Sequence, residues 1–338
     1  GDVREGSEGA AFGYLGALLE RNEERGGYRV QKIYQNDPDY PDALAPIARP
    51  GIELQVGDII TSIDGRPTLS VVDARQLLLN KSGRQVLLEV KRQGTPDVMR
   101  YIVRPMSHSQ FRSLKLSDWE YTRRLQAEKL SDGQVGYFHM RAMGAGNFAE
   151  FVKGYYPVFD RQGLIIDMRQ NYGGNIDSWI LGRLLRKAWM YWQGRTGIPY
   201  SNMHFAFNGH MVVLIDGYTI SDGEAFSEGF RRLELGPLIG TKTWGGGIWL
   251  RSANGLADGG LSRSPEFGVF SPDRMWLIEG SGVSPDIEVD NLPHATFKGK
   301  DAQLEAAIDY LKKKIAEDPR KLPTAPDYPD KSASEVTK

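Results

Sequence analysis

Between residues 10 and 105 apolar side chains come in short runs broken by turn residues, which is the pattern of strands: Tyr28–Tyr34, Asp58–Ile63, Gln85–Lys91 and Arg100–Arg104. One stretch departs from it. Val71–Leu79 repeats apolar positions at helical spacing behind the tight turn Ile63-Asp-Gly-Arg-Pro67, so the local order is strand, turn, helix, strand. A small β domain with one helix is predicted. From Leu116 to Leu130, Trp119, Tyr121, Leu125 and Leu130 stand among charges as on a polar connecting helix. Beyond it strands (Gln134–Met140, Gly163–Met168, Met211–Asp216) alternate with helical stretches (Ala145–Phe159, Ile176–Tyr191, Asp222–Leu233), which predicts an α/β layered fold. Leu304, Ala307, Ile308, Leu311 and Ile315 form one more helical stripe, expected to dock on the domain or on a partner chain. The polar, Pro-rich residues after it lack the apolar area to order themselves, and are expected to stay disordered or to lie along another subunit. The expected organisation is an N-terminal extension (1–9), a β domain (10–106), a helical linker (107–132), an α/β domain (133–317) and a polar tail (318–338).

Composition narrows the function. At 338 residues the chain exceeds the usual size of one core, in keeping with two domains. Its 42 Lys and Arg nearly cancel its 43 Asp and Glu, which leaves no electrostatic case for nucleic acid or an anionic membrane surface. The absence of cysteine excludes disulfides, thiolate metal sites and a cysteine nucleophile. No run of eighteen apolar residues occurs, so membrane insertion is not expected. The opening Gly1–Gly9 has neither a basic nor an apolar region of a targeting signal and does not begin with Met, so any such signal is expected on preceding sequence.

Chemistry concentrates where strands of the second half end. Met211–Asp216 runs through Gly217-Tyr-Thr-Ile into a helix that begins at Ser221 or Asp222, placing a hydroxyl beside free backbone amides and the positive end of a helix dipole. Taken alone, Ser221-Asp-Gly-Glu224 is more simply a capping box. After Gly163–Met168 comes Arg169-Gln-Asn-Tyr-Gly173-Gly174-Asn175, whose glycines let amides point into a pocket, or simply make a turn before the next helix.

Two resemblances then weigh on these readings. Gly57-Asp-Ile-Ile-Thr-Ser-Ile-Asp64-Gly65 resembles the signature of PDZ domains, with Asp in place of Asn. It implies that Tyr14, Leu15, Gly16 and Ala17 form a carboxylate-binding loop for a peptide C-terminus, unless the module is a spacer with an empty or self-filled groove. In the second half, Asp167-x-Arg-x-Asn-x-Gly-Gly174, Ser221-Asp-Gly-Glu-Ala-Phe226, Thr241-x-Thr-Trp-Gly-Gly246 and Gly282-Val-x-Pro-Asp-Ile-Glu288 follow in the order of the tail-specific and tricorn-type serine proteases. The chain is similar to that family over residues 10 to 315, and the resemblance implies an α/β sandwich of the crotonase and Clp protease type.

Within that family the tail-specific branch uses a lysine base at the position held here by Gly246, and Lys242 stands in a different register. The chain therefore resembles the tricorn core proteases. That resemblance implies Ser221 as nucleophile, amides at Gly173 or Gly174 and at Asp222 as the oxyanion hole, and Glu279 in a Ser-His-Ser-Glu tetrad. Tyr172 replaces a glycine common in the branch. None of the five histidines stands in the branch's motif, and the resemblance implies a catalytic histidine before the PDZ domain, on sequence preceding residue 1. The chain by itself is then expected to be inactive or weakly active. His139 is the fallback base, although a structural imidazole is its simpler role. The family implies peptide substrates, a homo-oligomer, no cofactor or metal, and a cytoplasmic site, or a periplasmic one if a signal precedes. Arg183–Tyr200, with four basic residues, Trp189, Tyr191, Trp192 and no acid, is expected either to line an apolar primary pocket or to pack its aromatics into its own core or a neighbouring subunit. The alternatives are a catalytically silent PDZ scaffold, a Ser/Lys tail-specific protease, and a crotonase-like acyl-CoA enzyme.

Overall fold

A computed structural model describes residues 11–92, 94, 95, 97–250, 255–260 and 264–329. The expected extension at 1–9 and the last part of the tail, 330–338, lie outside them. Two compact units divide the chain between Thr122 and Arg123.

In the first unit, β1 (Ala17–Asn22), β2 (Gly27–Ile33), β3 (Ile59–Ile63), β4 (Arg66–Pro67), β5 (Val86–Lys91) and β6 (Val98–Val103) form one sheet. Its order is β1-β2-β3-β5-β6, with β4 paired to β3 and every pairing antiparallel. All four anticipated strands are present within two residues of their expected ends. Strand β1 has no counterpart in the sequence reading, because Ala-Leu-Leu-Glu-Arg-Asn does not alternate cleanly. The helical stretch at 71–79 becomes a 3₁₀ turn, Ala74–Leu78, capped by the Asp73 carboxylate on the Arg75 N–H. Its three buried residues, Ala74, Leu77 and Leu78, are met by that short turn. Val30, Ile60, Ile63, Leu88 and Val90 fill the core above the sheet.

Helix α1 (His108–Leu130) is longer than the predicted connector and contributes to both units, the first through Thr122 and the second from Arg123. Among the described residues no helix is long and apolar enough to cross a membrane.

The second unit alternates β7 (Val135–His139), α2 (Asn147–Tyr155), β8 (Gly163–Asp167), α3 (Asp177–Leu184), the short pair β9 (Tyr191–Trp192) and β10 (Tyr200–Ser201), β11 (His210–Ile215), α4 (Asp222–Arg232) and β12 (Leu238–Gly240). A two-stranded ribbon, β13 (Ile248–Leu250) with β14 (Pro265–Gly268), precedes β15 (Ile287–Glu288), α5 (Pro293–Phe297) and α6 (Ala302–Glu317). The main sheet is parallel, in the order β15-β12-β11-β8-β7. β7 and β8 are buried along their whole length, as strands covered on both faces must be. One face packs Leu164, Ile166, Val213 and Ile215 against Phe151, Ile180, Phe226 and Phe230 of α2, α3 and α4. The other packs Ile165, Val212 and Leu214 against Leu304, Ala307, Ile308 and Leu311 of α6.

The predicted C-terminal stripe therefore docks on its own domain. A buried ion network locks it there. Arg169 sits between Asp167 (2.6 Å) and Asp301 (2.8 Å), Arg123 also reaches Asp301 (2.7 Å), and Tyr137 donates to Asp167. Burial alone would raise the Asp301 pKa, but the guanidiniums of Arg169 and Arg123 hold it well below the usual carboxylate range.

Three expectations about this unit need correction. The helix expected to reach Phe159 gives way after Tyr155 to a 3₁₀ turn, because Pro157 cannot continue the ladder. The helix expected to reach Tyr191 ends at Leu184, and its aromatics leave for the β9–β10 ribbon. There Trp189 and Trp192 are 73% and 51% exposed, so they do not pack into their own core. The tail, expected to lack order, is held through its first residues: the Gln162 side chain accepts from the Arg320 N–H (3.0 Å) and donates to its carbonyl (2.8 Å).

Candidate active site

The C-terminal ends of β8 and β11 lie side by side, with Asp167 opposite Leu214, so the loops that follow them meet. After β8 the chain turns through Asn171, Tyr172, Gly173 and Gly174. After β11 it turns through Asp216 to Ser221, where α4 begins. Asn171 joins the two loops. Its carbonyl accepts from the Ile220 N–H (2.9 Å), its Oδ1 from the Gly173 N–H (2.9 Å), and its Nδ2 donates to the Met140 carbonyl (2.7 Å).

Ser221 has φ 58° and ψ −120°, a conformation that L-residues other than glycine rarely adopt. An ordinary N-cap lies in the β region instead. The anticipated capping box is present, the Ser221 side chain facing the Glu224 N–H and the Ser221 N–H donating to Glu224 Oε2 at 2.9 Å. The Glu224 N–H also donates to the Ser221 carbonyl at 2.8 Å. A non-glycine residue held at this positive φ, on a sharp strand-to-helix turn, is strained.

Gly173, at φ 77°, lies directly against this serine: a Cβ there would stand 2.6 Å from the Ser221 Cβ and 3.1 Å from the Asp222 nitrogen. Gly174 is equally constrained, since a Cβ would fall 1.9 Å from the Met143 carbonyl oxygen. The two glycines differ as donors. The Gly173 amide is committed to Asn171, whereas the amides of Gly174 and Asp222 have no hydrogen-bond partner among the described residues. Tyr172 is 70% exposed.

The Asp222 side chain, fully buried, grips the glycine loop from the other side: Oδ2 accepts from the Ile176 N–H (2.7 Å) and the Asp177 N–H (3.1 Å). Its Oδ1 is buried without a partner. Burial, and then the negative charge of Asp177, push its pKa up to about 6.

Glu279 is exposed and accepts the Gly247 N–H at 2.8 Å. The residue before it, Ile278, holds φ 70°, an outlier for a β-branched side chain, and a Cβ on Gly247 would come within 2.6 Å of it. Lys242 is exposed and Gly246 half-buried. His139 sits at the end of β7 with Nε2 2.8 Å from the Arg169 carbonyl, and the His210 Nε2 lies 2.8 Å from the Asp318 carbonyl at the opposite end of the sheet.

Sequence reasoning did not single out Glu224, which it read as a cap. The structure buries this carboxylate completely and surrounds it with donors from two segments of the chain. The Ser-x-x-Glu spacing was the available signal, but it also describes many helix starts.

The first unit carries its own candidate groove. β1 is an edge strand, and the Leu15 and Gly16 amides have no partner among the described residues. Tyr14 does not belong with them as a donor, because its N–H and carbonyl are both paired with Met106 (2.9 and 2.8 Å). Leu15 is buried, Gly16 has φ 76°, and Ala17 opens β1. A groove of about 610 Å³ runs between β1 and the 74–78 turn, with Leu18, Ala74, Arg75, Leu78 and Lys115 along it.

Comparison with known proteins bears on both units. Residues 134–289 match the family model "Peptidase family S41", and residues 13–108 match "Tricorn protease PDZ domain". A tricorn-like protease C-terminal subunit of Sulfurisphaera tokodaii is 36% identical over 311 residues, covering 92% of this chain and 36% of that protein. The tricorn protease of Thermoplasma acidophilum is 32% identical over 301 residues, covering 88% of this chain and 28% of that protein. A crystal structure of the tricorn protease superposes with a TM-score of 0.81 at 29% identity, over 91% of this chain and 29% of that one. The chain thus spans about a third of the length of the curated relatives it matches.

Proposed function

We propose, from the premise that this chain belongs to the tricorn-type branch of peptidase family S41, that it carries the catalytic apparatus of a serine peptidase. Ser221 attacks the carbonyl of a peptide bond as its proton passes to a base, and the C–N bond breaks as that base protonates the leaving amine. Water then hydrolyses the acyl-enzyme, releasing the acid and restoring the serine hydroxyl. The amides of Gly174 and Asp222 receive the negative charge on the tetrahedral oxygen, while Gly173 leaves room for the nucleophile. Glu279 orients the proton-transfer partner. One observation carries the reading: a serine held at φ 58° at the start of a helix, with two unused amides beside it.

A serine hydroxyl needs a base, and we assign that role to a histidine outside residues 11–329. His139 is held to the Arg169 carbonyl and His210 lies at the far end of β11 from Ser221. Peptides are the substrate class, and a homo-oligomer is the working form we propose. The run of neighbouring parallel strands with helices α2 to α4 packed on one face favours kinship with the crotonase and Clp protease sandwiches.

For the first unit we propose capture of a peptide C-terminus by the Leu15, Gly16 and Ala17 loop, the peptide pairing with β1. The domains we assign are the PDZ domain at 10–106, the linker helix at 107–132 and the catalytic domain at 133–317.

The test is labelling by a serine-reactive fluorophosphonate of the full-length protein in which this chain occurs. Labelling that is lost in Ser221→Ala supports the reading; labelling that survives this substitution overturns it. Peptide binding to the first unit with no turnover by the full-length protein would favour the silent scaffold.

A further inference from the structure

We propose that Glu224 is a positioning residue that fixes Ser221 against the segment Thr243–Gly247 and, through that segment, fixes Glu279. The inference rests on the reading of Ser221 as nucleophile and adds a residue to that site.

A helix cap would require one bond from this carboxylate. It accepts four. Oε1 takes the Thr243 hydroxyl (2.5 Å) and the Gly245 N–H (2.7 Å); Oε2 takes the Gly246 N–H (2.9 Å) and the Ser221 N–H (2.9 Å). With about four acceptor sites on a carboxylate, all are filled, so Glu224 has no lone pair left to take a proton from the Ser221 hydroxyl. It acts on the serine through the backbone alone. The Ser221 N–H is held while its backbone is in a strained conformation, and such strain persists only where surrounding contacts over-determine it.

The same carboxylate gathers the loop whose next residue, Gly247, donates to Glu279 Oε2. Gly280 closes the loop by donating to the Gly245 carbonyl (2.9 Å), and Gly282 has no room for a side chain, its Cβ position lying 2.7 Å from the Thr243 carbonyl oxygen. A continuous path therefore runs from the Ser221 amide through Glu224 to Gly246, Gly247 and Glu279. Charge is required as well as shape. Four N–H and O–H donors converge, and an amide in place of the carboxylate would turn one acceptor into a donor facing other donors.

Saturation kinetics of fluorophosphonate labelling, on the full-length protein, separate reagent affinity from the rate of serine attack. Glu224→Gln should lower the limiting rate at least tenfold with half-saturation unchanged. Glu224→Asp keeps the charge but falls one methylene short of spanning both segments, and should show the same split. Ile308→Ala, on α6 behind the opposite face of the sheet, supplies a destabilised protein with an intact site and should label at the normal limiting rate. Wild-type limiting rates in Glu224→Gln or Glu224→Asp would overturn the proposal, as would an equal drop in Ile308→Ala. If Glu224→Gln does not fold, Glu224→Asp decides. Persistence of labelling in Ser221→Ala is a separate outcome, and removes the nucleophile reading itself.

Discussion

Replacing Asp222 by Asn should change how the stability of the second unit depends on pH, and the size of the change follows from its surroundings. The carboxyl is buried, faces the charge of Asp177, and titrates at about 6 instead of 3.8. Below pH 3.8 the group is protonated both folded and unfolded and contributes nothing to the pH dependence. Between 3.8 and 6 the folded protein binds the proton that the unfolded chain has released, so stability falls as pH rises. Above 6 the full penalty of holding the charge applies, on the order of 2–3 kcal/mol at about 1.4 kcal/mol per pKa unit. Asn cannot titrate. Its carbonyl still accepts from Ile176 and Asp177, and its amide nitrogen takes the place of the unpartnered Oδ1. Urea unfolding at pH 4, 6 and 8, followed by tryptophan fluorescence, reads mainly the second unit, which holds six of the seven tryptophans. The advantage of Asp222→Asn over the wild type should grow across this range by a midpoint shift on the order of 1 M urea. Unfolding curves whose separation stays constant from pH 4 to 8 would refute the reasoning.

Gly174→Ala should slow Ser221 labelling by roughly a hundredfold or more, the scale of a lost oxyanion donor, because its Cβ would force the loop off the Met143 carbonyl. Asp301→Asn should destabilise the second unit by about 3–5 kcal/mol, since Arg169 loses a buried counter-charge, and hydrogen exchange should show α6 opening first. Because the folded pKa of Asp301 is depressed, its contribution is present at neutral pH and fades as pH falls below about 4, which acid titration of the wild type and the variant would show. Gln162→Ala should make the 318–322 backbone sensitive to limited proteolysis while leaving the sheet protected, as mapped by mass spectrometry. Gly16→Val should weaken binding of a C-terminal peptide to the first unit in fluorescence polarisation at least tenfold, because its Cβ would meet Ala45 at 2.5 Å; amidating the peptide's carboxylate should weaken the wild type similarly.

The order of elements could be read from the chain, because continuous apolar runs and helical stripes report burial directly. Gly163–Met168 and Met211–Asp216 could hardly be anything but interior strands, and α6 carried its docking face openly. Where the reading slipped, a local pattern lost to tertiary context. The aromatics after Leu184 fit a helical period, yet the chain leaves the helix there to form the β9–β10 ribbon. Ala17–Asn22 has little strand character of its own and becomes β1 by pairing with β2.

The site divides in the same way. Ser221, Gly173 and Gly174 stand out locally, as a serine before a helix and glycines after a strand, whereas Asp222 and Glu279 enter only through the resemblance to the family. Sequence could not say which glycine has an unused amide, since that depends on Asn171 reaching Oδ1 to Gly173. Nor could it tell a helix cap from a strained nucleophile, because both are written Ser-x-x-Glu. What the fold adds is the gathering of Thr243, Gly245 and Gly246, from some twenty residues away, onto one carboxylate. Hydrogen-bond partners and backbone dihedrals at Ser221 are set by these distant contacts, and so is the burial of the Glu224 and Asp222 carboxylates, which their polar side chains alone would place at the surface.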